Sequence, residues 1–193
     1  MGHRTRELPP LAGIAGVVRE MRYHEVSRQG LGLLLMPLYA VLAQPMQAGF
    51  AAGVAVSVLG AIVRLYASGF ITKNEQLATD GPYSLVRHPL YTGNLLLLVG
   101  FTLASGLWWA VLLSAWFWWF YYPPAIDYED RKLRRIFGER CAEWQSTTPA
   151  VLPRSLVPAR GGTWSLGTSL RRNAEPAVLA YTFFWLGWIY RLL

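Results

Sequence analysis

The chain has 193 residues, room for one domain with a sizeable core, and 53% of them are hydrophobic against only 15% charged, where soluble domains carry roughly 25% charged residues. With nine Trp besides, this balance suits a lipid solvent better than water. The one cysteine, Cys141, excludes an internal disulfide and a cysteine-based metal cluster, and no metal is expected. The net charge of +7 is spread as a membrane topology requires, so no nucleic-acid partner is expected.

Residues 1–29 are polar and basic, with a mildly apolar stretch read as an interfacial helix over 9–24. No cleavable signal peptide is expected, because the first long apolar run starts only near Gly30. A helix needs about 20 residues to cross the hydrocarbon core. Residues 27–47 and 48–70 each reach that length, the second interrupted only by Arg64 near its end. Residues 91–105 and 107–126 form a second apolar pair. They are joined so tightly at Ser105-Gly106 that an antiparallel helical hairpin follows. Residues 127–137 have the period of an amphipathic helix, with Leu133, Ile136 and Phe137 on one face and Gly138 as its interruption. Pro149, Pro153, Pro158 and Gly161-Gly162 make an irregular return. Residues 176–193 are a fifth, shorter candidate span.

The expected fold is all-α: a transmembrane helical bundle of four to five spans in a single membrane domain over 1–193. Residues 1–29 form its N-terminal segment, 30–126 a four-span core, 127–158 a cytoplasmic segment closing a pocket, and 159–193 a linker and hydrophobic helix. The basic residues support this layout. Five precede the first span, two lie in 71–90 and nine in 127–175, while the turns at 44–47 and 105–106 carry none. All basic segments then fall on one side, which puts the N-terminus in the cytoplasm. That corresponds to the inner membrane of a bacterium or the endoplasmic reticulum of a eukaryote.

Two polar clusters meet this cytoplasmic side. One runs from Thr79 through Gly81-Pro82-Tyr83 and Arg87-His88-Pro89-Leu90-Tyr91-Thr92-Gly93 to Asn94; the other is Asp127-Tyr128-Glu129-Asp130. Ionisable groups at the mouth of a span are costly unless paired or wet. Composition alone leaves two readings: Arg87 and His88 snorkel while Glu129 and Asp130 favour a helix start, or the four form a site.

The order of these residues resembles the signature of the integral-membrane methyltransferases, the superfamily of isoprenylcysteine carboxyl methyltransferases and phospholipid N-methyltransferases. Gly81-Pro82-Tyr83 and Arg87 to Gly93 match its first motif. Glu129-Asp130-Arg131-Lys132-Leu133, Phe137-Gly138, Pro149 and Pro153 match its second. The resemblance covers roughly residues 59–153, with the hairpin between the two motifs. It implies S-adenosylmethionine as cofactor, held by Tyr83, His88, Pro89, Leu90, Tyr91, Gly93, Glu129 and Asp130, with Glu75, Gln76, Leu77 and Ala78 touching it through their backbone. It also implies Arg87 and Glu129 as catalytic residues. The chemistry suits the residue types. Arg87 or His88 can hold a carboxylate, Glu129 an ammonium or ribose hydroxyls, and Tyr83 and Tyr91 offer π faces to a sulfonium.

Departures from the pattern are Asp130 for a second Glu, and Cys141 and Trp144 where Tyr is common. Ala125 stands where the carboxyl-methylating branch has an Arg for its substrate, which argues against an isoprenylcysteine. His24 and Glu25 are weighed as substrate contacts and read as interfacial. The leading expectation is methyl transfer to a lipid or lipophilic small molecule, with membrane lipids as surroundings. The alternatives are a nicotinamide-dependent (NADPH) membrane reductase of sterol-reductase type and a non-enzymatic membrane protein that keeps the fold.

Overall fold

The computed structural model describes residues 4–70, 76–159, 161–171 and 174–193. Its regular elements are helices: α1 (Gly13–Tyr23), α2 (Glu25–Val41), α3 (Gln47–Ser68), α4 (Pro89–Ser105), α5 (Trp108–Thr147), α6 (Leu166–Arg171) and α7 (Glu175–Tyr190), with a 3-10 turn at Pro82–Ser84. Among the described residues the one extended pairing is an isolated bridge between Gly81 and Ala159. The all-α expectation therefore holds.

α3 and α4 form the closest pair, because the facing positions are small. A Cβ on Gly100 would sit 2.2 Å from Ser57 Oγ, and one on Gly53 would sit 2.5 Å from the backbone of Ala104 and Gly100. Small residues at such spacing let two backbones approach and gain dispersion contact where lipid offers no hydrophobic drive. The hairpin expected at Ser105-Gly106 is present, and Gln44 donates its backbone N–H to Ser105 O at 2.8 Å. The two charge-free turns thus lie against each other at one end of the bundle.

The core joins α2, α4, α5 and α7 around Tyr39, Phe101, Phe117, Tyr122, Leu186 and Ile189. Three of its polar side chains are linked: Tyr39 Oη donates to Ala110 O at 3.2 Å and shares a 2.9 Å bond with Ser114 Oγ, which in turn lies 2.8 Å from Thr102 Oγ1. Outward the bundle is strongly apolar. Leu34, Leu59, Ile62, Leu112, Trp119 and Phe184 all expose half or more of their surface. An apolar surface of this extent marks a membrane-associated protein.

Span lengths differ from the sequence expectation. Among the described residues α3, with 22 residues and mean hydropathy 1.9, is the one helix long and apolar enough to cross a membrane. α2 and α4 have 17 residues each and α7 has 16. α2 ends at Val41, short of the expected 47, and α7 at Tyr190, whereas α4 begins at Pro89, two residues before the expected start, and ends at Ser105 as expected. A count of four to five spans does not follow from helix length. α5 also differs. It runs without a break through Pro123 and Pro124, so the expected span 107–126 and amphipathic helix 127–137 are one rod. The interruption falls at Gly138, whose φ of 57° and ψ of −137° suit a residue without Cβ. There the chain folds back toward α4. α1 buries none of its residues, as an interfacial helix would, and is tied to α5 by Arg22 Nε donating to Phe120 O at 3.0 Å and Tyr23 Oη to Asp127 Oδ2 at 2.8 Å.

Candidate functional site

The kink at Gly138 brings the second motif onto the first. Trp144 Nε1 donates to Tyr83 O at 3.2 Å, the Arg87 N–H to Pro149 O at 2.8 Å, the His88 N–H to Ala150 O at 2.9 Å, and Thr92 Oγ1 to Val151 O at 2.7 Å. Residues 144–151 thus lie along the entry to α4 and take up the backbone donors of Arg87 and His88, the two residues that precede it.

At the centre of this seam is Asp130. Its carboxylate accepts from Arg87 Nη2 at 2.7 Å and Nε at 3.3 Å, and pairs with His88 Nε2 at 2.9 Å. Arg87 Nη1 donates to Gln145 O at 3.0 Å and Thr148 O at 2.7 Å. Burial acts to raise the Asp130 pKa, but the bonds from His88 and Arg87 outweigh it and hold the carboxyl below its usual range. The guanidinium of Arg87 is therefore spent on tying α4, α5 and the returning segment together.

Beside the seam lies a cavity of about 1310 Å³. Gln76, Leu77, Ala78, Tyr83, Arg87, His88, Pro89, Leu90, Tyr91 and Glu129 line it, so the hairpin returns residues 41 positions apart, His88 and Glu129, to one space. Gly93 and Asp130 do not line it. Gly93 packs on α3, where a Cβ would come 2.4 Å from Arg64 Cγ, and Asp130 is engaged as described. In this structure Gly93 acts in packing and Asp130 as a clamp. Glu75 lies outside the described residues.

The cavity has two chemical halves. At the polar end Glu129 is a third exposed, and its ion-pair partner among the described residues is Lys132, at 3.5 Å. Tyr83 is buried, and burial, with the carboxylates of Glu175 and Glu129 nearby, pushes its phenol far above the usual range. It stays a neutral hydroxyl. The rings of His88 and Tyr91 stack with centroids 5.4 Å apart. The other half reaches between α2, α4 and α5 past Met36, Tyr39, Leu98, Phe101 and Phe117.

Sequence reasoning missed several residues here. Arg64 and Glu175 form a two-bond ion pair, Nε to Oε2 at 3.0 Å and Nη2 to Oε1 at 2.8 Å, with Ser68 Oγ adding a bond of 2.8 Å to Glu175 and Arg64 also reaching Asn94. Glu175 is fully buried. Arg64 was visible as a cation inside an apolar span, a signal that asks for a partner. Glu25, read as interfacial, lines the cavity together with Arg4 and Arg28. His24 instead caps α2, accepting from the Ser27 N–H at 3.2 Å.

This seam of two motifs beside a half-polar, half-apolar cavity is the architecture that the membrane-methyltransferase resemblance anticipates. Residues 47–140 match the family model described as phospholipid methyltransferase, and the resemblance is borne out over that segment. The chain is 38% identical over 128 residues to the cobalt-zinc-cadmium resistance protein CzcN of Cupriavidus metallidurans, a match covering 65% of this chain and 58% of that protein. It is likewise 38% identical over 129 residues to the nickel-cobalt-cadmium resistance protein NccN of Alcaligenes xylosoxydans xylosoxydans, covering 65% and 59%. The chain thus aligns with less than two thirds of the length of these relatives. No solved structure matches it.

Proposed function

We propose that the chain is a methyltransferase that uses S-adenosylmethionine and acts on a lipid or lipophilic small molecule at the cytoplasmic face of a membrane. The observation that carries this reading is the single cavity in which Tyr83, His88, Tyr91 and Glu129 meet an apolar extension. The residues fit the cofactor. Glu129, paired among the described residues with a lysine 3.5 Å away, has acceptor capacity for an ammonium or ribose hydroxyls. Tyr83 offers a neutral hydroxyl, and the His88–Tyr91 stack offers π faces to a cation. When bound, the cofactor supplies an electrophilic methyl group on a positively charged sulfur. The chain's own contribution is alignment, since in-line displacement gains most from holding nucleophile and methyl in register. The apolar half excludes water and admits a hydrophobic acceptor.

Arg87 enters this reading as a positioning residue, because its donors are held by Asp130 and two carbonyls. The relatives' names concern resistance to cobalt, zinc, cadmium and nickel. A part in metal resistance would here run through methylation of a membrane component.

Purified protein should gain thermal stability with S-adenosylhomocysteine, because a ligand selective for the folded state shifts unfolding. Glu129→Ala should weaken that binding about 10- to 100-fold, the loss of one charge-assisted bond. Arg134→Ala should change it little, since Arg134 is bonded to Gln145 away from the cavity lining. Stabilisation by NADPH alone would favour the reductase reading instead.

The multi-pass topology belongs to the same proposal. α2, α3, α4, the first part of α5 and α7 are its candidate spans, with the N-terminus and the cavity facing the cytoplasm. The distribution of basic residues supports it. Reporter fusions at positions 80 and 155 should both read cytoplasmic and fusions at 44 and 106 the opposite side. A non-cytoplasmic signal at 155 would overturn the orientation.

A further inference from the structure

Among the described residues four arginines line the cavity, and three of them are engaged. Arg64 has Glu175 and Asn94. Arg87 has Asp130 and two carbonyls. Arg4 is bonded to Glu25. Arg28 differs. Its side chain is 9% exposed, and its nearest carboxylate oxygen is Glu25 Oε1 at 3.8 Å, beyond hydrogen-bond reach. That oxygen already accepts from Gln29 Nε2 at 3.0 Å, and the other oxygen of Glu25 from Arg4. Among the described residues Arg28 is otherwise met by two aromatic faces, the rings of Tyr91 at 5.2 Å and Tyr122 at 5.5 Å from its guanidinium carbon.

A guanidinium carries five N–H donors, and a buried charge without hydrogen bonds is costly. The position of Arg28 is informative too. It lies where the polar half of the cavity, with Tyr91 and Glu129, meets the apolar half with Met36, Tyr39 and Phe117. A planar fork facing open cavity, backed by aromatic rings, matches the two oxygens of a carboxylate. Among the described residues the charge count favours a monoanion: Arg4 and Arg28 against Glu25 leave one net positive charge, and Lys132 is matched by Glu129.

We infer that Arg28 is a carboxylate-binding residue of this cavity. The carboxylate belongs either to the amino-acid end of the methyl donor or to an acceptor with an apolar body. Arg28 precedes the segment 47–140 that the family model covers, so the family match assigns it no role. The inference rests on the methyl-transfer reading for the first source and is independent of it for the second.

The test uses the full chain in phosphatidylcholine nanodiscs, as parent and Arg28→Gln, titrated with S-adenosylhomocysteine, 5′-methylthioadenosine, dodecanoate and dodecanol. If Arg28 holds the donor's carboxylate, Arg28→Gln binds S-adenosylhomocysteine at least about tenfold more weakly and leaves methylthioadenosine, which lacks that carboxylate, unchanged. If it holds an acceptor's carboxylate, S-adenosylhomocysteine is unchanged and the parent's preference for dodecanoate over dodecanol is lost. Should Arg28→Gln fail to fold, Arg28→Lys, which keeps the charge without the planar fork, is read the same way. Binding of all four compounds as by the parent would overturn the inference and leave the methyl-transfer reading standing. Arg28-dependent dodecanoate binding in a protein that ignores S-adenosylhomocysteine would do the reverse.

Discussion

Replacing Glu175 by Ala is expected to lower the stability of the protein by about 3–5 kcal/mol, because it leaves Arg64 as an uncompensated buried charge. Glu175 is fully buried and accepts two bonds from Arg64 and one from Ser68. It is also the first residue of α7, where a carboxylate is favoured by the helix dipole. The pair therefore joins α3, α4 (through Asn94) and α7 at one point. Denaturant or thermal unfolding in a mild detergent measures the effect. The double variant Arg64→Met with Glu175→Leu should recover much of the loss, since removing both charges removes the unpaired one. A small loss in Glu175→Ala would mean that α7 is held by apolar contact alone.

The second large effect is expected at Asp130. Asp130→Ala removes the acceptor of Arg87 and His88 together, each charge-assisted bond contributing about 1.5–3 kcal/mol. The seam between α4, α5 and the returning segment should loosen, and binding of S-adenosylhomocysteine should fall with it, although Asp130 itself does not line the cavity. The pH dependence distinguishes charge from shape. The folded-state pKa of Asp130 is depressed below the ordinary value of 3.8, so its contribution is present at neutral pH and disappears as pH falls through the folded value. Asp130→Asn should thus be less stable than the parent at neutral pH, and the gap should close below about 3.8. A gap that stays constant down to acid pH would assign the seam to backbone bonds rather than to this carboxylate.

Much of the arrangement was legible in the sequence for simple reasons. A tight Ser105-Gly106 turn between two apolar runs obliges their far ends to meet, which is why His88 and Glu129 reach one cavity. Gly138 is readable as a break because it stands alone within a strongly helical pattern, and the structure bends there. What could not be read were pairings that depend on distance in space. Asp130 has the look of a site carboxylate, yet its partners Arg87 and His88 lie more than 40 residues away and turn it into a clamp. Arg64 and Glu175 are separated by 111 positions, and neither end carries a local motif. Arg28 counted in the sequence only as one more basic residue before the first span, whereas its burial against Tyr91 and Tyr122 is a tertiary fact. Helix length was overestimated for α2, which ends at Val41 rather than at 47 because the apolar run continues into the charge-free turn before α3.

The most direct test of the central claim is transfer of isotope-labelled methyl from S-adenosylmethionine into a total membrane lipid extract by the purified protein. Label should appear in the organic phase in proportion to protein, fall at least about tenfold in Glu129→Ala, and stay near the parent level in Arg134→Ala. An organic phase without label, from protein that S-adenosylhomocysteine does not stabilise either, would contradict the account.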